Sequence, residues 1–122
     1  MKLLIVDDSN VIRQRIARIA SDARLPPMHI VGQARNGVEA VQMVRQHDPD
    51  LVTLDLTMPE LGGEECTEQM IALKPALTIL VVSALSDKAT ALRALKKGAQ
   101  GFLYKPFTDD QLVAALQEVM LP

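Results

Sequence analysis

The residues able to do chemistry in this chain are acids, one hydroxyl and one amine, and most of them follow directly on an apolar run. Leu3-Leu4-Ile5-Val6 runs into Asp7 and Asp8, and Leu51-Val52-Thr53-Leu54 runs into Asp55. The run from Thr78 ends in Ser83 with Ala84 behind it, and the run from Gly101 to Tyr104 ends in Lys105. Singly, each has a plain structural use: aspartate pairs start turns, Asp55 or Ser83 can cap a helix, and a lysine is usually solvated. Together they place one kind of chemistry at the ends of separate strands. Like charges about 4 Å apart repel by roughly 4 kcal/mol at an effective dielectric near 20. Either a proton is held among the acids at raised pKa, or a cation sits there. Oxygen-only ligands with room left for water suit Mg²⁺. Lys105 adds a compact positive charge for an anion. The Ser83 hydroxyl and the backbone N–H groups near Ser83 and Ala84 can bind further anionic oxygens. This set is a cradle for a phosphoryl group on Asp55, because a carboxylate can attack phosphorus and the transfer needs mainly positioning and charge stabilisation.

The elements that must position these residues follow from the hydrophobic pattern. Short continuous apolar runs read as strands buried on both faces of a parallel sheet. Ser9 can cap a first helix with Val11, Ile12, Ile16, Ile19 and Ala20 on its apolar stripe and Arg13, Arg15 and Arg18 in solvent. Pro26-Pro27 stops anything helical, and a weaker second strand runs from His29 to Ala34. Asn36-Gly37 turns the chain into a helix striped by Val38, Ala40, Val41 and Val44. After the strand that delivers Asp55, Gly62-Gly63 leads into a helix burying Cys66, Met70, Ile71 and Leu73. Asp87 opens a helix with Leu92, Leu95 and Ala99 inward and Lys88, Arg93, Lys96 and Lys97 outward, closed at Gly98. Thr108-Asp109-Asp110-Gln111 is a capping box for a last helix burying Leu112, Val113, Leu116 and Val119.

Five strand–helix units in strict alternation imply an α/β fold, a doubly wound five-stranded parallel sheet with five helices and right-handed crossovers. With strand order 2-1-3-4-5, the flavodoxin-like order, the topological switch lies between the first and third strands, where ligands bind beyond the carboxyl ends. Asp7, Asp8 and Asp55 then share one crevice.

Composition sets the outer bounds. The 122 residues make a single domain over 1–122, and 48% hydrophobic content is globular. A net charge of −2 gives no electrostatic footprint for nucleic acid or an anionic membrane. One cysteine, Cys66, excludes an intrachain disulfide and reads as a small core hydrophobe. No apolar run approaches a membrane span and none resembles a signal peptide, so a soluble cytoplasmic protein is expected.

The joint set of Asp7-Asp8, Asp55 followed by Met58-Pro59 and Gly63, Ser83-Ala84, and Lys105-Pro106-Phe107 resembles the receiver domain of two-component response regulators, chemotaxis regulators among them, from Lys2 to about Met120. That resemblance implies that Asp55 is the phosphoacceptor, taking its phosphoryl group from a sensor histidine kinase or a histidine phosphotransfer protein. It implies Mg²⁺ held by Asp8, Asp55 and the Thr57 carbonyl, with Asp7 acting mainly through water. Lys105 would pair with a phosphoryl oxygen and its bond to Pro106 would be cis. Ser83 would turn toward the phosphoryl group, and Phe102 stands at the position of the rotating switch aromatic. The face made by the fourth helix, fifth strand and fifth helix would meet a downstream target protein.

Two departures accompany the resemblance. Ser83 stands where the family often has threonine and keeps the hydroxyl. Phe102 stands where tyrosine is common and has no hydroxyl to bond outward. Segment 23–29, with its two prolines, is slightly long for the family. The start at Met1 and the end at the last helix favour a stand-alone regulator over a fragment of a longer one. Thr57 is placed to tune how water reaches an acyl phosphate. His29 and His47 lie away from the functional edge.

Three other readings compete. A haloacid-dehalogenase-type phosphohydrolase would also use Asp55 as nucleophile, but needs a second acid where this chain has Thr57. A flavodoxin-like electron carrier needs a hydroxyl- and glycine-rich loop where this chain has Asp7-Asp8-Ser9-Asn10. A receiver-like binding module would use the same fold without phosphorylation, and the intact acid set argues against it.

Overall fold

The computed structural model describes residues 1–56 and 61–121. Its elements in order are β1 (Lys2–Val6), α1 (Asn10–Ile19), β2 (His29–Ala34), α2 (Gly37–His47), β3 (Leu51–Leu54), α3 (Gly63–Leu73), β4 (Thr78–Ala84), a single 3₁₀ turn (Leu85–Asp87), α4 (Lys88–Lys96), β5 (Gly101–Lys105) and α5 (Asp109–Val119). The strands lie in the order β2-β1-β3-β4-β5, and every neighbouring pair is parallel. The expected fold is the observed one.

Period-two alternation splits the strand residues between two cores. Leu4, Val6, Val52, Leu54, Ile79 and Val81 face one side of the sheet, where Ala40, Val44, Cys66, Met70, Ala91 and Ala94 of α2, α3 and α4 cover them. Leu3, Ile5, Leu51, Leu80 and Val82 face the other, under Ile16 and Ile19 of α1 and Leu112, Val113 and Leu116 of α5. Burial on both faces is why β1, β3 and β4 carry almost unbroken apolar runs.

Local signals start the helices where the sequence places them. The Ser9 hydroxyl accepts from Ile12 N–H, Asn36 Oδ1 accepts from Glu39 N–H, and Thr108 and Gln111 close a reciprocal capping box. Asn36 is thus the cap of α2 and not a separate turn. Gly98 ends the α4 segment at φ 122°, a left-handed conformation that glycine adopts without strain.

Several stripes differ from expectation. Leu92 is exposed, and Ala91 and Ala94 are the buried residues of α4. Helix α4 begins at Lys88 behind its cap Asp87, where the sequence places it; Leu95 packs against the core and Ala99 is buried, so only Leu92 departs, about 100° round the helix from Ala91. Val11, in the first turn of α1, is 74% exposed, and Val38 and Leu73 also face solvent. Val11 and Val38 stand about 200° round their helices from the buried Arg13 and Ala40, and Leu73 is the last residue of α3. Arg13, expected in solvent, is buried, and Arg15 is only partly exposed. Among the described residues no helix is long and apolar enough to cross a membrane.

Candidate functional site

The two innermost strands fix the acids by their own ladder. Asp7 N–H donates to the Ala34 carbonyl at 3.1 Å, and Asp55 N–H donates to the Val6 carbonyl at 2.9 Å. Both acids are therefore held one step beyond the last strand residue, at the switch point between β1 and β3. Asp7 and Asp55 are buried, whereas Asp8 is exposed at the mouth. One carboxylate oxygen from each of Asp7, Asp8 and Asp55 lies within 4.8 Å of the others. That is the convergence the sequence leads one to expect.

Lys105 arrives from the end of β5. Its Nζ donates to Asp7 Oδ2 at 2.8 Å and stands 3.5 Å from Asp55 Oδ1. Burial alone would lower the pKa of this ammonium, but the Asp7 hydrogen bond and the charges of Asp55 and Asp7 outweigh it, and the net shift is upward. The other Asp7 oxygen accepts from Ser9 N–H at 2.9 Å. Three carboxylates thus gather at one point, two of them beside the Lys105 ammonium, and such a cluster suits a small hard cation. The donor set, all carboxylate oxygen, fits Mg²⁺.

Ser83 is fully buried near the end of β4, and its Oγ finds no hydrogen-bond partner among the described residues. A buried hydroxyl without a partner costs about 1–3 kcal/mol, and Thr53 Oγ1 in β3 is in the same position. Ala84 pairs in register with Lys105 across the β4–β5 ladder, which brings the serine strand and the lysine strand to one edge. The Lys105–Pro106 peptide bond is cis. Phe102 sits three residues before Lys105, 37% exposed, with its ring centroid 5.0 Å from that of Tyr104. Beside it a hollow of about 360 Å³ is lined by Leu95, Gly101, Phe102, Ala115 and Val119 of α4, β5 and α5 and the turn between them. Thr57, expected to lend a carbonyl to the metal, lies outside the described residues, as do Met58 and Pro59.

Helix α1 also reaches this edge, through two arginines expected in solvent. Arg13 Nη1 donates to the Asp7 carbonyl at 2.6 Å, and Arg15 Nη2 donates to the Phe107 carbonyl at 2.5 Å. A signal for Arg13 was present, because it falls three residues before Ile16 and six before Ile19, on the buried stripe. Phe107 is buried, so it is a core residue as well as the neighbour of the lysine turn. Cys66 is buried too, and burial pushes its thiol pKa up to about 12, which keeps it neutral and inert.

Comparison with known proteins points to one family and one fold. Residues 3–117 match the family model described as the response regulator receiver domain. The chemotaxis protein CheY of Listeria monocytogenes is 40% identical over 118 residues, covering 97% of each chain. CheY of Thermotoga maritima is 36% identical over 118 residues, covering 97% of this chain and 96% of its own. Among solved structures, the CheX-CheY-BeF3-Mg complex of Borrelia burgdorferi superposes with a TM-score of 0.91 at 28% identity, covering 100% of this chain and 90% of the other.

Proposed function

This chain belongs to the response regulator receiver family, and from that premise we propose that it is a single phospho-accepting switch domain spanning 1–122, with Asp55 as the phosphoacceptor. The observation that carries the reading is the crowding of Asp7, Asp8 and Asp55 around one lysine at the sheet's switch point. An acid cluster with surplus charge costs stability unless a proton or a cation compensates it.

In the proposed reaction an Asp55 carboxylate oxygen attacks the phosphorus of a phosphohistidine. The P–N bond breaks, its electron pair stays on the imidazole, which takes up a proton, and an acyl phosphate remains on Asp55. Lys105, already 3.5 Å from Asp55 Oδ1, pairs with a phosphoryl oxygen. Asp7 holds that ammonium in place through its 2.8 Å bond. Mg²⁺ held by Asp8, Asp55 and the Thr57 carbonyl, with Asp7 acting mainly through water, would neutralise charge on the phosphoryl oxygens. The chemistry is self-modification, and no external substrate is turned over.

The acyl phosphate then supplies what Ser83 lacks. Its Oγ donates to a phosphoryl oxygen, Ala84 N–H lies alongside, and the end of β4 closes on the group. Phe102 follows into the space vacated, with Pro106 fixing the turn behind Lys105. A phosphoryl group brings about −1.5 to −2 charge and strong acceptors, enough to bias such a two-state segment. The readout surface is α4-β5-α5, where the hollow beside Phe102 lies, and the partner is a target protein. The phosphodonor is a sensor histidine kinase or a histidine phosphotransfer protein. Direct contact with nucleic acid is not part of this reading, given the net charge of −2.

Intact mass after incubation with acetyl phosphate tests it. The expected result is one phosphate adduct that forms with Mg²⁺, fails without it and is absent in Asp55→Asn. An adduct that persists in Asp55→Asn would overturn the assignment. A Phe102 side-chain NMR signal unchanged by Mg²⁺ and a stable phosphate analogue would overturn the switch.

A further inference from the structure

Helix α1 touches both arms of the acidic pocket through two arginines of one helical turn. Arg13 is buried and donates to the carbonyl of Asp7, the strand end that carries acid. Arg15 reaches in a different direction, to the turn that carries the lysine. Its Nη2 donates to the Phe107 carbonyl at 2.5 Å, two residues past Lys105. Its guanidinium carbon lies 4.5 Å from the centroid of the Phe107 ring. Its Nη2 and Nε also stand 3.2 Å and 3.4 Å from Asp109 Oδ1 in the first turn of α5.

We infer that Arg15 is a positioning residue for Lys105, fixing the turn between β5 and α5 so that Nζ is held between Asp7 and Asp55. The turn is short. Lys105 ends β5, Thr108 caps α5, and only Pro106 and Phe107 lie between. The capping box anchors the Thr108 side of that turn, through Gln111 Oε1 to Thr108 N–H at 2.9 Å and Thr108 Oγ1 to Gln111 N–H at 3.1 Å. The ladder anchors the Lys105 side, through register with Ala84. Arg15 grips the middle, on both a carbonyl and a ring. One planar fork does this where a lysine, a point charge on a flexible stem, could reproduce only one of the contacts. Arg18 serves as the internal contrast, because it pairs with Asp109 Oδ2 at 3.3 Å, is 65% exposed, and has no bond to the turn.

The inference rests on the phosphoacceptor reading for its functional meaning, and its test has an arm that does not. In the ligand-free protein, the Nζ–H correlation of Lys105 in a ¹H–¹⁵N spectrum reports whether the ammonium is held by Asp7. Arg15→Met keeps much of the packing on Phe107 and removes the donor. The expected result is loss or displacement of the Lys105 signal in Arg15→Met, partial return in Arg15→Lys, and superposition on the parent in Arg18→Ala. Phosphorylation by acetyl phosphate should slow about tenfold or more in Arg15→Met, the scale expected for a misplaced charge, and stay at the parent rate in Arg18→Ala. A lowered melting temperature with an unmoved Lys105 signal would mean that Arg15 is only structural, and would overturn the inference. Should Arg15→Met not fold, Arg15→Lys with a parent-like signal and parent rate overturns it equally. A parent protein that accepts no phosphoryl group would sink the phosphoacceptor reading, while the Lys105 spectrum would still decide the role of Arg15.

Discussion

Aspartates gather at both edges of this sheet, each group beside a lysine, and the two groups are wired in opposite ways. At the amino edge, Asp50 Oδ2 accepts from Lys2 N–H at 2.7 Å at the start of β1. Lys74 Nζ there lies 3.0 Å from Asp48 Oδ1 and 3.6 Å from Asp50 Oδ1, and donates to the Pro49 carbonyl at 2.7 Å. The Lys2 N–H bond, with help from Lys74, holds the Asp50 carboxyl below its ordinary pKa against the opposing pull of burial. Two acids and a lysine there close the loop before β3 and stitch it to β1. At the carboxyl edge Asp7, Asp8 and Asp55 outnumber their lysine, and two of the three are buried. The same residue types close a loop at one edge and crowd like charges together at the other. At the amino edge Lys2 N–H and the Lys74 ammonium meet two acids, whereas at the carboxyl edge Ser9 N–H and the Lys105 ammonium meet a cluster of three.

The sharpest break between the edges is chemical. Asp55→Asn should abolish the acetyl phosphate adduct altogether, while Asp50→Asn should keep it at the parent rate, both read by intact mass. Next in size is the response to metal. Mg²⁺ at one hundred times its dissociation constant should stabilise the parent by about 2.7 kcal/mol, visible as a higher melting temperature. Asp8→Asn should lose most of that gain, and Asp50→Asn should retain it.

Without metal the two edges should move stability in opposite directions. Asp50→Ala removes a strand-end acceptor and should cost about 1 kcal/mol in urea denaturation. Asp8→Asn relieves repulsion and should be neutral or stabilising by up to about 1 kcal/mol. A destabilised Asp8→Asn would mean that the carboxyl-edge charges are already compensated.

The smallest effect is the pH dependence. Asp50 has a lowered pKa in the fold, so its contribution is present above the ordinary carboxylate value near 3.9 and is lost as pH falls through the lowered one. Lys105 has a raised pKa, so its contribution is present below the ordinary lysine value near 10.4 and is lost as pH climbs through the raised one. Stability measured against Asp50→Asn should therefore converge with the parent in acid, and against Lys105→Met in alkali.

How legible these regions were in the sequence follows the same division. The apolar runs of β1, β3 and β4 announce strands covered on both faces, and what ends each run is what reaches the carboxyl edge. Asp7, Asp8, Asp55, Ser83 and Lys105 could therefore be placed from order alone. Helix phase was harder. In α4 the small Ala91 and Ala94 face inward while the larger Leu92 is exposed, so side-chain size misleads about the phase. The amino-edge clip and the two arginines of α1 are hard to read in the sequence because their shortest contacts are to backbone carbonyls and N–H groups, with Asp48 and Asp109 beside them. Side-chain composition does not reveal such contacts until the fold brings distant segments together. Arg13 alone betrayed itself, by lying on the apolar stripe.

The central claim is that an acyl phosphate forms on one particular carboxylate, and borohydride trapping addresses it at residue resolution. Reduction turns an aspartyl phosphate into homoserine, which peptide mass spectrometry locates. After exposure to acetyl phosphate and Mg²⁺, homoserine is expected at position 55 and nowhere else, and not when the metal is withheld. Homoserine at Asp7 or Asp8, or an unreduced chain after full exposure, would contradict the account.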